Sequence, residues 1–345
     1  MKVDYIVVGL GLAGIAFCEQ LRQAKKRFVV FNNASQQASL VAAGMYNPVI
    51  LKRFTEVWMA QKQLDIALPM YQGLEALLGL QLDYKMNVYR RLASVEEQNA
   101  WFTAMDKPNL EPFMAPKLVK NTNDLINAPF HLGAVQHAGR VDTAALISGY
   151  KAYLLKNKQL LSASFNHAEL KQRGTEVSYT DIRAQHVVFC EGFGMAQNPF
   201  FNYLPLQGNK GEVLTVRVPN LHLKDAIKAG VFIMPNSDTD YYVGATYNRF
   251  DVTNTPTQKG KDELLRKLQV FLKRSPSILK HEAGIRPTVP DRRPLVGSHP
   301  EFKQLHVLNG MGSRGVMIAP YAAQALYNYI ENKCPLNPEI AISRF

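Results

Sequence analysis

The sequence predicts an α/β protein in which a discontinuous domain with a parallel sheet is interrupted by a second, α+β domain built on an antiparallel sheet. Three observations predict this class. A strand, a glycine-rich turn and a helix open the chain, a second glycine-rich turn precedes the last helix, and long strand patterns occupy residues 210–246 between them. The length of 345 residues suits two domains of roughly 150 residues each.

The first element is the most informative part of the chain. An apolar strand, Lys2 to Val8, runs into a glycine-rich turn and an amphipathic helix, and the strand Arg27–Phe31 completes a βαβ unit. In such a unit the glycines permit a sharp turn, a close approach of pyrophosphate and tight helix packing, while the helix N-terminus attracts the anion. The motif therefore predicts a Rossmann-like domain whose dinucleotide contacts include Gly9, Gly11, Leu12, Ala13 and Gly14.

The second strand ends in an unusual pair for this kind of unit. About 20 residues after the glycines such folds place Asp or Glu to bind a ribose hydroxyl. This chain has Asn32 and Asn33 there. An amide oxygen can accept the same hydrogen bond without the assistance of a charge, so we expect both residues to contact the cofactor.

The next elements follow from hydrophobic spacing and capping signals. We expect a helix over about 56–80, a strand near 87–92, a helix over 95–105, a loop over 106–129, a strand near 135–141 and a helix that Asp142 or Thr143 caps. Later patterns predict a buried strand at 185–190 that ends at Gly192, strands at 211–218, 229–234 and 241–246, and a helix at 259–272. The chain then ends in a strand at 305–308, a glycine turn and a helix to about Glu331.

These elements predict the division of the chain. Dinucleotide-binding elements lie at both ends and near Gly192, so the chain must leave that domain and return to it. We predict that residues 1–50, 135–200 and 283–345 form the dinucleotide-binding domain. Residues 51–134 and 201–282 then form the substrate domain.

Composition excludes several classes of protein. Three cysteines do not make a disulfide framework, and no histidine or cysteine cluster has metal-ligand spacing, so no metal is predicted. The longest apolar run, Tyr5 to Cys18, is too short to span a membrane, and we expect a cytoplasmic protein without a membrane partner. The formal charge of +12 is spread in short basic pairs. It fits a solvated basic surface or an anionic partner such as nucleic acid.

Motifs along nearly the whole chain resemble the family of flavoenzymes that contains D-amino-acid oxidase, glycine oxidase and sarcosine oxidase. The segments that carry the resemblance are the N-terminal glycine motif, Ala42-Ala-Gly-Met45, Val187 to Gly192, Leu204 to Leu214, Gly284-Ile-Arg-Pro287, Pro294 to Gly297, and Gly310 to Gly315. The resemblance implies non-covalent FAD as the cofactor. It also implies FAD contacts from Ala43, Gly44, Met45, Phe165, Gly192, Gly312, Ser313, Arg314, Gly315 and Val316.

The same resemblance implies the catalytic residues and the reaction. Arg286 would bind the substrate carboxylate through two parallel hydrogen bonds; the alternative is a structural arginine paired with an acid such as Asp291. Arg314 and Tyr46 would meet the substrate beside the flavin ring, or serve the structure. The reaction implied is oxidation of a C–N bond by hydride transfer to flavin N5, hydrolysis of the imine by water, and reoxidation of the flavin by dioxygen.

One residue departs from the family pattern, and three functions stay open. Several members carry a tyrosine whose hydroxyl helps hold the carboxylate, and this chain has Phe232 in its place. A small amine or amino acid is the favoured substrate. The segments Gly44 to Pro48 and Gly312 to Gly315 also resemble the flavin domain that oxidatively removes a carboxymethyl group from a tRNA wobble uridine, so tRNA is the alternative partner. A flavin-binding protein without catalysis is the third reading.

Overall fold

A computed structural model describes all residues, 1–345. The seven α-helices are α1 (Leu12–Gln23), α2 (Ala38–Val41), α3 (Ala60–Leu78), α4 (Val95–Met105), α5 (Thr143–Lys156), α6 (Gln258–Gln269) and α7 (Gly315–Glu331), and 3₁₀ turns cover His167–Glu169, Gly192–Gln197 and Ile342–Arg344. The twenty strands are β1 (Lys2–Val8), β2 (Phe28–Phe31), β3 (Met45–Tyr46), β4 (Val49–Ile50), β5 (Thr55–Glu56), β6 (Asp83–Lys85), β7 (Val88–Arg91), β8 (Leu132–Val135), β9 (Gly139–Val141), β10 (Leu160–Leu161), β11 (Leu170–Arg173), β12 (Glu176–Tyr179), β13 (Ile182–Phe189), β14 (Gln207–Arg217), β15 (Ala226–Lys228), β16 (Phe232–Pro235), β17 (Asp240–Gly244), β18 (Ser277–Thr288), β19 (Leu295–Ser298) and β20 (Leu305–Asn309).

The first sheet has eight strands and confirms the predicted α/β class. Strands β10, β2, β1, β13 and β20 run parallel in that order, β19 pairs antiparallel with β20, and β12 and β11 extend β13 as an antiparallel hairpin. The parallel strands are continuous apolar runs such as Phe28–Phe31, whose four residues are all buried. Such runs are typical of strands that are covered on both faces.

The carboxyl ends of four parallel strands meet at one edge of this sheet. They lead directly into Gly9, Asn32, Cys190 and Gly310. In open α/β sheets this edge is where ligands bind. The fold thus brings the first glycine motif, the asparagine pair and the last glycine turn together, although about 300 residues separate the first from the last.

Helix α1 packs tightly on the sheet because of one glycine. A Cβ atom at Gly14 would stand 2.1 Å from the carbonyl oxygen of Gly9 and 3.6 Å from Cβ of Cys190. Only glycine therefore allows the helix to lie this close to β1 and to the end of β13. Gly14 contributes by this packing and is not part of the cleft wall described below.

The second sheet has seven strands in the order β18-β14-β17-β16-β15-β7-β8, and it is antiparallel except for the pair β15 and β7. One of its faces packs under α6 in a core that includes Leu214, Ile233, Val243, Leu264 and Leu268. The opposite face carries Gly211, Val213, Phe232 and Arg286, which face the ligand edge of the first sheet. The strand patterns at residues 210–246 predicted an antiparallel sheet, and β14, β16 and β17 confirm it, whereas β18 (Ser277–Thr288) was not predicted.

Two predicted strands are wrong in extent. The expected strand at 229–234 is the junction of two strands, β15 and β16, which pair antiparallel through a turn at Ala229 to Val231. The expected strand at 135–141 is the end of β8 and all of β9, which belong to different sheets. The first reversal passes through the exposed Gly230, and the second passes through the exposed Gln136 and His137. Both turns are short enough to be mistaken for part of one strand.

The strands separate in a way that supports the predicted domain division. The strands of the first sheet lie within residues 2–31, 160–189 and 295–309, and those of the second lie within 88–135 and 207–288, so β18 extends past the predicted boundary at residue 283. The two-domain boundaries stay a proposal on that basis. None of the helices combines the length and apolar character needed to cross a membrane.

Candidate active site

A cleft of about 820 Å³ lies between the ligand edge of the first sheet and the inner face of the second. Its volume suits a ligand as large as a dinucleotide. Of the residues predicted to contact the cofactor, the cleft is lined by Gly9, Gly11, Leu12, Ala13, Asn32, Asn33, Ala43, Gly44, Met45, Phe165, Gly192, Gly312, Ser313, Gly315 and Val316.

The N-terminus of α1 is open toward this cleft. Its N-cap residue is Gly11, which has no side chain to satisfy the first N–H groups. Leu12 donates its N–H to Ser39 Oγ at 3.3 Å, and the first bond of the helix ladder runs from Ile15 to the Gly11 carbonyl at 2.9 Å. The N–H groups of Ala13 and Gly14 have no acceptor within the chain, and free N–H groups at a helix N-terminus favour an anion.

The two asparagines differ in what they have left to offer a ligand. Asn33 uses its side chain within the protein, donating to Ser164 Oγ at 3.1 Å and accepting from the Ser35 N–H at 3.0 Å. Asn32 donates its backbone N–H to the Leu161 carbonyl at 3.1 Å, and its side-chain amide makes no hydrogen bond within the chain. Of the two residues, Asn32 is therefore the one whose side-chain amide is free to bind a ligand at the cleft wall.

Helix α7 presents a second open N-terminus at the cleft. Its N-cap residue, Arg314, makes no side-chain capping bond. The first backbone bonds run from Met317 and Ile318 back to the Arg314 carbonyl, both at 3.0 Å, which leaves Gly315 and Val316 with free N–H groups on the cleft wall. Two helix N-termini with free N–H groups on one cleft fit a dinucleotide that carries a pyrophosphate and electron-rich ring oxygens.

Arg286 lies on the wall that the second sheet contributes. Its Nη1 donates to the Thr246 carbonyl at 3.2 Å, and its guanidinium carbon lies 4.5 Å from the centre of the Tyr247 ring. Burial lowers the pKa of Arg286 below its ordinary value, and no carboxylate opposes that shift. Asp291 pairs with Arg344 at 2.8 Å, so the alternative in which Asp291 holds Arg286 is wrong.

Arg314, the N-cap residue of α7, does not line the cleft, although it was predicted to contact substrate and cofactor. Burial lowers its pKa, Tyr247 opposes that shift, and Arg292 adds to it. No carboxylate acts on Arg314 either. The phenol of Tyr247 thus stands near two guanidinium groups that lack an acidic partner.

Tyr46 does not reach the cleft, which corrects the expectation that it meets the substrate. Its side chain is 2% exposed, and its hydroxyl donates to Asp83 Oδ1 at 2.8 Å and accepts from Lys85 Nζ at 3.1 Å. Burial and the Asp83 hydrogen bond raise the pKa of Tyr46. The cause is the pairing of β3 with β9, which turns Met45 toward the cleft and Tyr46 away from it.

Three contributors to the cleft were missed in the sequence. Ser39 in the short helix α2 accepts from the first N–H of α1, Gly211 accommodates the Arg286 guanidinium, and Tyr247 covers it. Each depends on contacts across strands or between sheets. The one local signal was the position of Tyr247 just after a predicted strand, where polar residues often enter ligand clefts.

Comparisons with known proteins agree with this geometry. Residues 4–328 match the family described as FAD dependent oxidoreductase. Glycine oxidase of Bacillus subtilis (strain 168) is 26% identical over 361 residues, which cover 96% of this chain and 95% of the relative. The crystal structure of glycine oxidase from Geobacillus kaustophilus matches with a TM-score of 0.81 and 20% identity, covering 100% of this chain and 99% of the other.

A second kind of relative matches only in part. The tRNA 5-methylaminomethyl-2-thiouridine biosynthesis bifunctional protein MnmC of Idiomarina loihiensis is 29% identical over 155 residues, which cover 42% of this chain and 25% of the relative. The family match and the whole-length relatives are oxidoreductases, and they do not support a protein without catalysis. The chain belongs to the family of FAD-dependent oxidoreductases, as an amine or amino-acid oxidase that binds FAD.

Proposed function

We propose that this enzyme oxidises the C–N bond of a small amino acid or N-alkyl glycine, with dioxygen as the electron acceptor. The observation that carries the proposal is Arg286, a cation on the cleft wall that has no acidic partner in the chain. Removing a cation from water without a partner is costly, so an unpaired guanidinium at a ligand cleft favours an anionic ligand group. A carboxylate matches the guanidinium fork in shape and charge.

The neighbouring side chains support an α-amino or N-alkyl carboxylate as the substrate. Met45, Val213 and Phe232 line the cleft near Arg286 with apolar surface and offer no second charge for a polar side chain. Arg286 would hold the carboxylate, and the apolar wall would exclude water and set the direction of the C–H bond. FAD, when bound, supplies the oxidation by accepting the hydride. We assign no general base, because a substrate amine that arrives deprotonated needs none.

The test is amine-dependent reduction of the FAD-loaded enzyme. Glycine, sarcosine and N-ethylglycine are mixed with it without oxygen, and loss of flavin absorbance is followed, then peroxide is measured in air. Arg286→Lys should lower kcat/KM at least tenfold, because losing a charge-assisted hydrogen bond costs about 1.5–3 kcal/mol. The matched control is Arg217→Lys, at an exposed arginine that pairs with Asp240 away from the cleft.

Two results would contradict the proposal. One is a fully loaded enzyme that no amine of this panel reduces. The other is an Arg286→Lys variant whose kcat/KM equals that of Arg217→Lys, because Arg286 would then not bind the carboxylate. Flavin reduction without peroxide would keep the amine substrate and replace dioxygen by another acceptor.

A second candidate substrate is a carboxymethylaminomethyl uridine in tRNA, and one feature favours it. Tyr247, which lines the cleft, shares an exposed stretch of chain with Arg249 and Phe250, and the Phe250 side chain is 100% exposed. Exposed aromatic rings beside a cation are the elements that stack on unpaired bases and contact phosphate. The formal charge of +12 would assist such binding.

Salt dependence separates the two substrates. Binding of total tRNA is titrated at 50 and 200 mM salt, with wild type and Phe250→Ala. An RNA substrate requires tight binding, a steep log–log salt slope of about −0.7 per single-strand phosphate contact and weaker binding by Phe250→Ala. Weak tRNA binding together with rapid reduction by a small amine favours the small molecule.

A further inference from the structure

Phe232 gives the inner face of the second sheet an aromatic ring without a hydroxyl. Phe232 on β16 lines the cleft and lies opposite Gly244 on the neighbouring strand β17. A Cβ atom at Gly244 would stand 3.1 Å from Cζ of Phe232, so the ring covers this glycine. The Phe232 ring offers the cleft an apolar surface and no hydrogen-bond donor.

A tyrosine enters the same part of the cleft three residues beyond Gly244. Tyr247 lines the cleft, and its ring lies over the guanidinium of Arg286 at 4.5 Å. Its side chain is 66% exposed, and its hydroxyl has no hydrogen-bond partner within the chain. A free phenol therefore stands beside a guanidinium that uses only one hydrogen bond within the protein.

The backbone of Tyr247 is held in place on both sides. Thr246 donates its N–H to the Glu212 carbonyl at 3.2 Å, and its hydroxyl accepts from the Glu212 N–H at 2.9 Å. Lys210 and Asn248 exchange backbone hydrogen bonds of 2.8 and 3.0 Å. Because Arg286 also bonds to the Thr246 carbonyl, the tyrosine and the arginine keep a fixed relation to each other.

The loop that follows is anchored by a fully buried lysine. Lys210 is 0% exposed, and its ammonium donates to Asp251 Oδ2 at 2.6 Å, to the Thr253 hydroxyl at 3.3 Å and to the Thr255 carbonyl. A buried ammonium with three acceptors holds the loop against the sheet. The exposed ring of Tyr247 therefore rests on a rigid base, which is what a ligand-positioning side chain requires.

A carboxylate bound by Arg286 would still have acceptor capacity. Its two oxygens offer about four lone-pair sites, and a guanidinium fork occupies two of them. A neutral phenol can donate to one of the others without adding charge. Its ring meanwhile shields the ion pair from water, which strengthens the pair.

We propose that Tyr247 donates its hydroxyl hydrogen to the substrate carboxylate that Arg286 binds, and so replaces the hydroxyl that Phe232 lacks. This rests on the proposed function, in which the substrate carries a carboxylate. It makes Tyr247 a determinant of specificity for carboxylates at the cleft mouth. The assignment holds for a free amino acid and for a carboxymethyl group carried by a larger molecule.

The test measures binding and does not depend on turnover. Methoxyacetate, a carboxylate without an amine, is titrated into the FAD-loaded protein by calorimetry and by the flavin difference spectrum. Tyr247→Phe should raise its Kd about five- to tenfold, because only the hydroxyl is removed. The matched control, Tyr203→Phe, removes a hydroxyl from a half-exposed tyrosine outside the cleft and should leave the Kd unchanged.

The variants also separate this proposal from the proposed function. If Arg286→Lys weakens methoxyacetate binding and Tyr247→Phe does not, Tyr247 is no part of the carboxylate site and the proposed function stands. If wild type binds methoxyacetate no better than Arg286→Lys does, both proposals fail. Restoring the hydroxyl from the other strand, by Phe232→Tyr in the Tyr247→Phe background, should recover at least half of the lost affinity.

Discussion

A methyl group on Gly211 would stand 1.9 Å from Nη2 of Arg286. The two residues lie on the paired strands β14 and β18, where Gly211 is opposite Gly284, two residues before Arg286. The guanidinium can lie flat against the sheet only because position 211 has no side chain. The glycine therefore allows the Arg286 guanidinium to occupy its position on the cleft wall.

This relationship predicts the effect of Gly211→Ala. The alanine methyl must displace the guanidinium, so the variant should bind methoxyacetate at least tenfold more weakly while it retains FAD. Calorimetry of the FAD-loaded variant measures the Kd for methoxyacetate, and the ratio of flavin to protein absorbance measures how much FAD the variant retains. An unchanged Kd would mean that the displaced arginine still reaches the ligand.

The matched control is Gly73→Ala in helix α3. A Cβ atom there meets no atom within 4 Å, so the same chemical change causes no clash. Alanine in a helix interior should stabilise the protein by about 0.5–1 kcal/mol relative to glycine. Ligand binding should equal that of wild type, and thermal unfolding measures the stability gain.

The elements that could be predicted from the sequence are those whose signals are local. The predicted helix 95–105 agrees with the structure at both ends because Ser94 caps it, accepting from the Glu97 N–H at 3.3 Å. The βαβ unit with its three glycines was predicted because its strand, turn and helix are contiguous. Gly9, Gly11, Leu12 and Ala13 of that motif line the cleft, whereas Gly14, also predicted to contact the dinucleotide, does not and serves helix packing.

The errors share a different physical origin. Which face Tyr46 presents depends on the pairing of β3 with β9, about 94 residues away, because side chains alternate along a strand. Tyr247 was missed because its meeting with Arg286 requires the register of β14 with both β17 and β18. Such long-range pairings leave no local pattern in one sequence.

Asn32 offers a test of the cofactor site. Its free amide faces the cleft, and Asn32→Asp would give a charge-assisted hydrogen bond to a ribose hydroxyl. We expect the variant to bind FAD about fivefold more tightly, corresponding to about 1 kcal/mol. Quenching of FAD fluorescence by the apoprotein gives the Kd.

Asn33→Asp is the control for that change. Asn33 donates its side-chain amide to Ser164, which an aspartate cannot do, so this variant should not gain affinity. Weaker FAD binding by Asn32→Asp would show that the ribose does not donate to this side chain. The presence of asparagine at position 32, where such folds usually have Asp or Glu, would then reflect a different arrangement of the ribose.

Asp251 predicts an acid-sensitive anchor for the Tyr247 loop. Its hydrogen bond from Lys210 lowers the pKa of Asp251 from 3.8 to about 2. A lowered pKa means that the ionised form stabilises the fold above pH 3.8, and that this contribution is lost as the pH falls toward 2. The denaturation midpoint of wild type should exceed that of Asp251→Asn at pH 5, and the difference should shrink toward pH 2. A difference that does not change with pH would exclude the ion pair as its cause.

A buried histidine pair predicts a second pH dependence, in a milder range. His186 Nδ1 and His306 Nε2 are 3.0 Å apart, and His306 Nδ1 is 2.7 Å from the Ser298 hydroxyl. Of the two ring nitrogens that face each other, one must accept a hydrogen bond from the other. Protonation of the accepting nitrogen would place two N–H donors against each other. Burial lowers the pKa of His186 from 6.5 to about 4, and burial also lowers the pKa of His306.

Acid should lower the free energy of unfolding, because the unfolded state binds a proton that the folded state does not bind. Between pH 6.5 and 4 the unfolded chain takes up a proton at His186 and the folded protein does not, so acid favours unfolding. The free energy of unfolding should fall by on the order of 3 kcal/mol across this range because of His186. Urea unfolding of wild type and His186→Gln at half-unit steps of pH measures the slope. The His186→Gln variant should show a flatter dependence of the unfolding free energy on pH. The control, His222→Gln, changes an exposed histidine and should keep the wild-type slope. Equal slopes in wild type and His186→Gln would show that His186 is not the cause of the pH dependence.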